Sequence, residues 1–161
     1  MKRLLVPSAL LLSLTLAGCG AATARPDPEA TQAQERLSEF VNDQLGQSPG
    51  YLGTMASTGV DADSGESESM GVLGFDAEHR SVSVHAVCEE TTGAKLTAKL
   101  RVNDGAPVDL HCAPNGGLEV VAEGIAPEAD GVRVTFGDLP DTAAWAFAVV
   151  ADGEEGGASA E

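Results

Sequence analysis

The chain has 161 residues and a formal net charge of −16, with 25 Asp and Glu against 9 Lys and Arg. This length favours one domain, and 43% hydrophobic residues are enough for a packed core, which excludes a wholly disordered chain. Aromatic residues make up only 4%, so we expect a small core built mainly from Val, Leu and Ala. Nucleic-acid binders neutralise phosphates with Lys and Arg, so the acidic balance argues against a nucleic-acid partner.

The N-terminal segment is organised like an export signal. Basic residues at positions 2 and 3 precede an apolar run, Leu4–Leu16, which is shorter than the roughly 20 residues of a membrane-spanning helix. The run ends in Leu16-Ala17-Gly18-Cys19, which resembles the lipobox of bacterial lipoproteins. That resemblance implies cleavage after residues 1–18 and acyl chains, such as palmitate, on Cys19. Two chains give stable anchoring, so we expect a membrane-anchored protein on the extracytoplasmic face; the alternative is an ordinary secretory signal with an incidental Cys19.

A short tether and an amphipathic helix follow. Residues 19–27 are small and turn-forming, and we interpret them as the tether. Asp27 is a suitable N-cap and Pro28 suits the first helical turn. Apolar residues then recur at spacings of three and four, which predicts a helix over 28–45 with one apolar stripe: Ala30, Ala33, Leu37, Phe40, Val41 and Leu45.

Residues 46–69 are rich in Gly, Ser and acidic side chains, and we assign them to a loop region. A short strand near Tyr51–Ser57 is compatible with its apolar residues. Asp61–Ser69 is interpreted as an exposed acidic loop.

From Met70 onward the pattern alternates with period two, in runs bounded by Gly, Pro, Asn or Asp, which predicts a small antiparallel β-sandwich over 70–151. The apolar residues on the same face of each run are Val82, Val84, Ala86 and Cys88; Leu96, Ala98, Leu100 and Val102; Ala106, Val108, Leu110 and Cys112; Leu118, Val120 and Ala122; and Val132, Val134 and Phe136.

The turn at Asn103-Asp104-Gly105 allows a test of register. A two-residue turn would set the apolar face of one strand against the polar face of the next. A three-residue loop pairs Val102 with Ala106 and keeps the apolar faces together. We therefore predict the three-residue loop, with Gly105 in the left-handed conformation that such loops favour.

The last run, Ala143–Val150, is apolar on both faces and should be covered on both sides. Trp145, Phe147 and Val149 form one face, and the other consists mostly of Ala. Small side chains let a helix approach closely, so we predict that the helix over 28–45 packs on the Ala face. Residues 152–161 are interpreted as a disordered acidic tail.

With Cys19 assigned to lipid, Cys88 and Cys112 remain as an even pair in an exported protein, which favours a structural disulfide. If these two are bridged, His85 and His111 lie on strands that are brought close. Together with Asp109 they are weak candidates for a zinc or copper site. Two solvated surface histidines are the simpler interpretation, because ligand pairs at metal-site spacing are missing. We therefore assign no metal and no cofactor.

The resemblance to lipoproteins identifies a location and leaves the function open. The two-cysteine β-domain also resembles small, uncharacterised actinobacterial lipoproteins, a similarity that transfers no functional residues. No phosphate-binding glycine motif occurs, and we assign no nucleophile elbow, so we interpret the chain as non-enzymatic. The leading hypothesis is a cell-surface module that binds a protein or envelope partner. The alternatives are a small-ligand or metal-binding lipoprotein using the His85/His111 face, and a hydrolytic enzyme.

Overall fold

The computed structural model describes residues 27–59, 68–75, 81–114 and 116–153. Over these residues the chain forms an N-terminal helix followed by strands. The elements in chain order are α1 (Pro28–Leu45), β1 (Tyr51–Thr58), β2 (Glu68–Leu73), β3 (Val82–Glu90), β4 (Leu96–Val102), β5 (Val108–Cys112), β6 (Glu119–Ile125), β7 (Val132–Gly137) and β8 (Ala143–Ala151).

The strands form two antiparallel four-stranded sheets. Sheet 1 has the order β1-β8-β3-β6 and sheet 2 the order β2-β7-β4-β5. β1 contacts β2 at one edge of the molecule and β6 contacts β5 at the other, so the sheets are stacked with their apolar faces inward. The predicted β-sandwich with one helix is confirmed.

The core between the sheets is built around aromatic side chains at its centre. Trp145 of β8 and Phe136 of β7 are fully buried and stack with ring centroids 4.4 Å apart. Gly71 of β2 lies directly over these rings: a Cβ at that position would be 2.9 Å from Trp145 Cη2 and 2.8 Å from Phe147 Cε1. The absence of a side chain at Gly71 therefore lets the edge strand of sheet 2 approach the aromatic core.

Helix α1 covers the opposite face of β8, as predicted. The Asp27 carboxylate caps the helix by accepting hydrogen bonds from the backbone N–H groups of Glu29 (2.7 Å) and Ala30 (3.3 Å). The buried helix stripe packs on small side chains of β8, which allow the close approach, and on Val87 of β3. The buried residues of this interface are Ala33, Leu37, Val41, Val87, Ala144, Ala146 and Ala148.

The β4–β5 hairpin has the predicted three-residue register, with Leu100 opposite Val108 and Leu96 opposite Cys112. The prediction for Gly105 is wrong: the residue with positive φ is Asn103, at 49°. Asn is among the few residues that tolerate this conformation. Its side-chain oxygen accepts a hydrogen bond from the Arg133 N–H at 2.9 Å, a contact from a distant strand that the hairpin sequence does not reveal.

The structure differs from the sequence prediction in two further respects, the start of the sandwich and the inward face of β6. The short strand allowed near Tyr51–Ser57 is present as β1 (Tyr51–Thr58), and β2 begins at Glu68, so the sandwich starts within the segment otherwise assigned to loop. In β6, Ala122 packs against the core as predicted, but Val121 also packs there and Val120 is 52% exposed, the reverse of the prediction for these two residues. The cause is an irregularity: successive residues Val84 and His85 of β3 pair with Ala122 and Val120, which leaves Val121 as the extra residue of a bulge.

Cys88 and Cys112 form the predicted disulfide, with Cα atoms 4.6 Å apart. Cys88 belongs to sheet 1 and Cys112 to sheet 2, and both lie in the core. The bond therefore joins the two sheets covalently through the apolar layer.

Glu90 at the end of β3 is a buried carboxylate, 3% exposed, whose oxygens accept hydrogen bonds from Thr92, Thr142 and the Ala94 N–H. Burial alone raises its pKa, but these hydrogen bonds outweigh burial and the pKa lies below its usual value. The carboxylate thus closes the turn between β3 and β4 in its charged form.

We expect Glu90→Gln to lower the free energy of unfolding at pH 7 by about 1–3 kcal/mol, because it weakens a buried, hydrogen-bonded acceptor. Since the folded-state pKa is depressed, the stabilisation is complete above the unfolded pKa of about 4.3 and is lost as pH falls below it. Urea unfolding at pH 7 and pH 3 should show the difference between the two proteins shrinking at pH 3. Glu119→Gln, at an exposed position, is the control; an equal effect of both variants would contradict this role for Glu90.

The export signal, Cys19 and the acidic loop up to residue 67 lie outside the described residues, as do residues 154–161. Asp152, the first residue of the predicted tail, lies within the described residues. Its backbone N–H donates to the Ser81 carbonyl at 3.0 Å, and its carboxylate accepts from the Ser81 hydroxyl.

Candidate functional site

The outer faces of the two sheets differ in what covers them. Helix α1 packs against β8, β1 and β3 and so covers much of sheet 1. Over the described ranges, no element packs on the outer face of sheet 2. Its outward side chains on β2, β4 and β5 are exposed and alternate with inward side chains that are buried or half-buried, except Val108 at the start of β5, which is also exposed. We call this uncovered surface the sheet 2 face; its outward residues are Glu68, Met70, Val72, Thr97, Lys99, Arg101, Asp109, His111, Arg133 and Thr135.

The sheet 2 face concentrates the basic residues of an acidic chain. The described residues include five Lys and Arg, and three of them lie here: Lys99 and Arg101 on β4, and Arg133 on β7. Arg101 stands opposite Thr135 of β7. Two residues further along the chain, just after β4, the Asn103 N–H donates a hydrogen bond to the Arg133 carbonyl at 2.8 Å, so Arg133 stands opposite Asn103. Along the direction of β4, Lys99 therefore comes first and Arg101 second, and Arg133 comes third on the neighbouring strand β7.

The three cations differ in their partners. Lys99 is paired with Asp109 of β5, and Arg133 with Glu128 at 2.7 Å. Arg101 has no ion-pair partner among the residues that the structure describes. Exposed ion pairs such as those of Lys99 and Arg133 contribute little to stability. Because Arg101 forms no such pair, its guanidinium is available to a carboxylate or phosphate of a partner.

Apolar side chains complete one end of the sheet 2 face. Met70 and Val72 of the edge strand β2 are 59% and 39% exposed. Met70 stands opposite Thr135, which in turn stands opposite Arg101, so one row across the sheet runs from an apolar to a cationic side chain. Exposed apolar residues beside Arg are typical of the contact surfaces of proteins.

The structure does not bring His85 and His111 together. His85 lies on the outer face of sheet 1, opposite Ala148, whereas His111 lies on the sheet 2 face, opposite Thr97. The disulfide joins inward-pointing residues, so the neighbouring histidines point away from each other. Asp109 lies near His111 but is paired with Lys99. Across the described ranges, no group of three or more His, Cys, Asp and Glu residues has a geometry that could hold a metal ion.

His85 has a polar environment of its own on the outer face of sheet 1. The Ser83 hydroxyl lies 3.4 Å from its Nε2 atom. Burial lowers the pKa of His85, while Glu123 and Asp152 raise it by a smaller amount, so the imidazole is neutral near pH 7. In the described part of the chain no carboxylate forms a hydrogen bond with this imidazole, and the Asp152 carboxylate is bound to Ser81. This arrangement therefore lacks the oriented base of a serine hydrolase.

Sequence reasoning placed Lys99 and Arg101 on the polar side of a strand but did not select them as site residues. Arg133 joins them only because β4 pairs with β7, and Met70 only because β2 pairs with the other side of β7. The local signal was two basic residues at alternate positions of one strand, which by itself is common on solvated faces.

Comparison with protein-family models, with curated proteins and with solved structures finds no match to this chain. Among the described residues, no helix is long and apolar enough to cross a membrane. The function is therefore argued from the geometry of the sheet 2 face and from the sequence.

Proposed function

We propose that this protein is a lipid-anchored, extracytoplasmic binding module without catalytic activity, and that the sheet 2 face is its binding surface. The supporting observation is the contrast between the two sides of the sandwich. One side is covered by α1, and the other is uncovered by the described parts of the chain and gathers three cations and exposed apolar residues in a chain of net charge −16. Among these cations Arg101 has no ion-pair partner within the described residues, which favours a partner that offers a carboxylate or phosphate.

The proposed tether joins the domain on the side away from the sheet 2 face. The tether reaches the fold at Asp27 and Pro28, the start of α1, and α1 packs on the outer side of sheet 1. Nine tether residues span at most about 30 Å when extended. An anchor at Cys19 therefore holds the domain close to the bilayer while the sheet 2 face stays directed away from the helix and accessible to a partner.

The anchor is tested by mass spectrometry of the full chain extracted from its own membranes in detergent. We expect the mass of a chain beginning at Cys19, increased by acyl groups and reduced by two hydrogens for the Cys88–Cys112 bond. Cys19→Ala should release the protein from the membrane fraction. A mature N-terminus elsewhere with no lipid mass would refute the anchor.

The binding surface is tested by charge reversal. Arg101→Glu should weaken capture of an envelope partner about tenfold or more, because it replaces a charge-assisted contact by a repulsion. Arg36→Glu makes the same change of charge on α1, which packs on sheet 1, and should leave capture unchanged. Cross-linked partner recovered equally well with both variants would contradict the assignment of this surface.

A further inference from the structure

The two sides on which the sheets meet are closed in different ways. On one side the disulfide between Cys88 and Cys112 joins β3 of sheet 1 to β5 of sheet 2. On the other side the edge strands β1 and β2 contact each other, and within the described part of the chain no disulfide joins them. We call this second side the β1–β2 edge. Its closure depends on noncovalent contacts.

Three contacts cross the β1–β2 edge. At one end the Ser69 hydroxyl of β2 donates a hydrogen bond to the Thr58 carbonyl of β1 at 3.1 Å. At the other end Leu73 of β2 lies over Gly53 of β1, with Leu73 Cδ1 3.2 Å from the place that a Cβ on Gly53 would occupy. The contact between these two ends is made by Met55 of β1.

Met55 fills the space over a glycine of β2. A Cβ on Gly71 would lie 2.7 Å from Met55 Sδ. The same place is 2.8 Å from Phe147 Cε1 and 2.9 Å from Trp145 Cη2. The sulfur and the two rings therefore surround the one point where β2 carries no side chain. Because a thioether sulfur packs favourably against aromatic rings, Met55 connects the β1–β2 edge to the aromatic core.

Met55 is also accessible from solvent. It stands opposite the fully buried Phe147 of β8, yet 36% of its own surface is exposed, so a small oxidant can reach it. The second methionine that the structure describes is Met70, which is 59% exposed and stands opposite Thr135 on the sheet 2 face. Met70 is therefore the more accessible of the two but lies outside the core, which makes it a matched comparison for Met55.

We propose that Met55 is an oxidation site whose sulfoxide opens the β1–β2 edge. The oxidant is a peroxide such as hydrogen peroxide. Its O–O bond breaks, one oxygen forms a bond to the thioether sulfur, and the other leaves as water, so the sulfur loses the two electrons that the peroxide gains. The product is a polar group in place of an apolar one. Its oxygen is either buried against two rings without a hydrogen bond, which is unfavourable, or it draws the side chain out of its contact with Gly71.

Opening of the β1–β2 edge reaches the proposed binding surface. Strand β2 carries Met70 and Val72 of the sheet 2 face, in the rows that continue across β7 towards Arg101. A loosened β2 shifts these apolar side chains relative to that cation, so oxidation of Met55 weakens binding without changing a residue of the face. This consequence rests on the proposed function, whereas the oxidation and the opening of the edge require neither an anchor nor a partner.

The test uses the full chain, extracted in detergent from its own membranes and treated with hydrogen peroxide, in two variants that each retain one of the two methionines. Leu has nearly the volume of Met, so both variants should fold. In Met70→Leu, which retains Met55, we expect peroxide to lower the thermal unfolding midpoint by about 5 °C or more. In Met55→Leu, which retains Met70, the change should stay below about 1 °C. Peptide mass mapping locates the added oxygen.

Hydrogen exchange shows where the oxidised chain opens. In oxidised Met70→Leu the amides of β2 should exchange about tenfold faster or more, while those of β3, next to the disulfide, stay protected. Methionine sulfoxide reductases for both sulfoxide epimers should reverse the two effects. Met55→Gln places a polar group at the same point without oxidant and should also lower the midpoint, whereas Met70→Gln should leave it nearly unchanged.

The outcomes separate the oxidation site from the proposed function. A Met55 that stays unoxidised while Met70 reacts, an oxidised Met55 with unchanged midpoint and exchange, or equal losses in both variants would each overturn the proposal. Partner capture that peroxide abolishes in Met70→Leu but not in Met55→Leu would support control of the sheet 2 face. A chain that opens on oxidation of Met55 but captures no partner in either state would support the oxidation site and count against the proposed function.

Discussion

Replacing Trp145 by Ala is expected to lower the free energy of unfolding by about 3–5 kcal/mol, the largest loss for one side chain in this core. The indole is fully buried, stacks on Phe136 at 4.4 Å, and donates a hydrogen bond to Ser69 Oγ at 2.9 Å. The deletion removes the largest buried side chain from a core poor in aromatic residues and leaves a cavity between the sheets. Urea unfolding followed by far-ultraviolet circular dichroism measures the loss.

Trp145→Phe is the matched control for this prediction. It keeps a ring that can stack on Phe136 but removes the hydrogen bond to Ser69, so we expect a loss of about 1–2 kcal/mol. An Ala variant no less stable than the Phe variant would show that the sandwich does not close around this side chain.

Removing the cross-sheet disulfide is the second large effect. The double variant Cys88→Ala with Cys112→Ala should lose about 3 kcal/mol, because bridging residues 24 positions apart restricts the unfolded chain. Both cysteines are buried, 0% and 3% exposed, so the bond should resist reducing agents until the domain unfolds. Chemical unfolding with and without reductant measures the effect.

A stability unchanged in the double variant would contradict this role of the disulfide. The proposed lipid on Cys19 does not affect the comparison when both proteins carry Cys19→Ala. The proposed binding surface is also separable from these core effects, since Lys99, Arg101 and Met70 are exposed and their substitution should leave the unfolding midpoint nearly unchanged.

The charge distribution gives the molecule two different sides. In the described residues, α1 exposes Glu35, Glu39 and Asp43, while the sheet 2 face exposes Lys99 and Arg101. A net charge of −16 describes the average and conceals this asymmetry. The prediction against a nucleic-acid partner was drawn from this average and stays a prediction.

Local sequence patterns were sufficient to predict the elements whose structure depends on residues close together in the chain. The cap at Asp27 and the apolar stripe of α1 follow from helical spacing, and the register of the β4–β5 hairpin follows from matching apolar faces across a short loop. The Ala face of β8 was sufficient to predict where α1 packs, because only small side chains permit a close approach of helix and sheet.

Other features depend on contacts between distant parts of the chain. The positive φ of Asn103 is supported by a hydrogen bond from Arg133, and Val120 is exposed because of a bulge opposite β3. His85 and His111 are separated because they belong to different sheets. Composition and periodicity determined that this is a small, disulfide-bridged β-sandwich with one helix. Only the tertiary structure decided which polar face stays uncovered and which cations meet there, because strand order is set by the packing of the whole core.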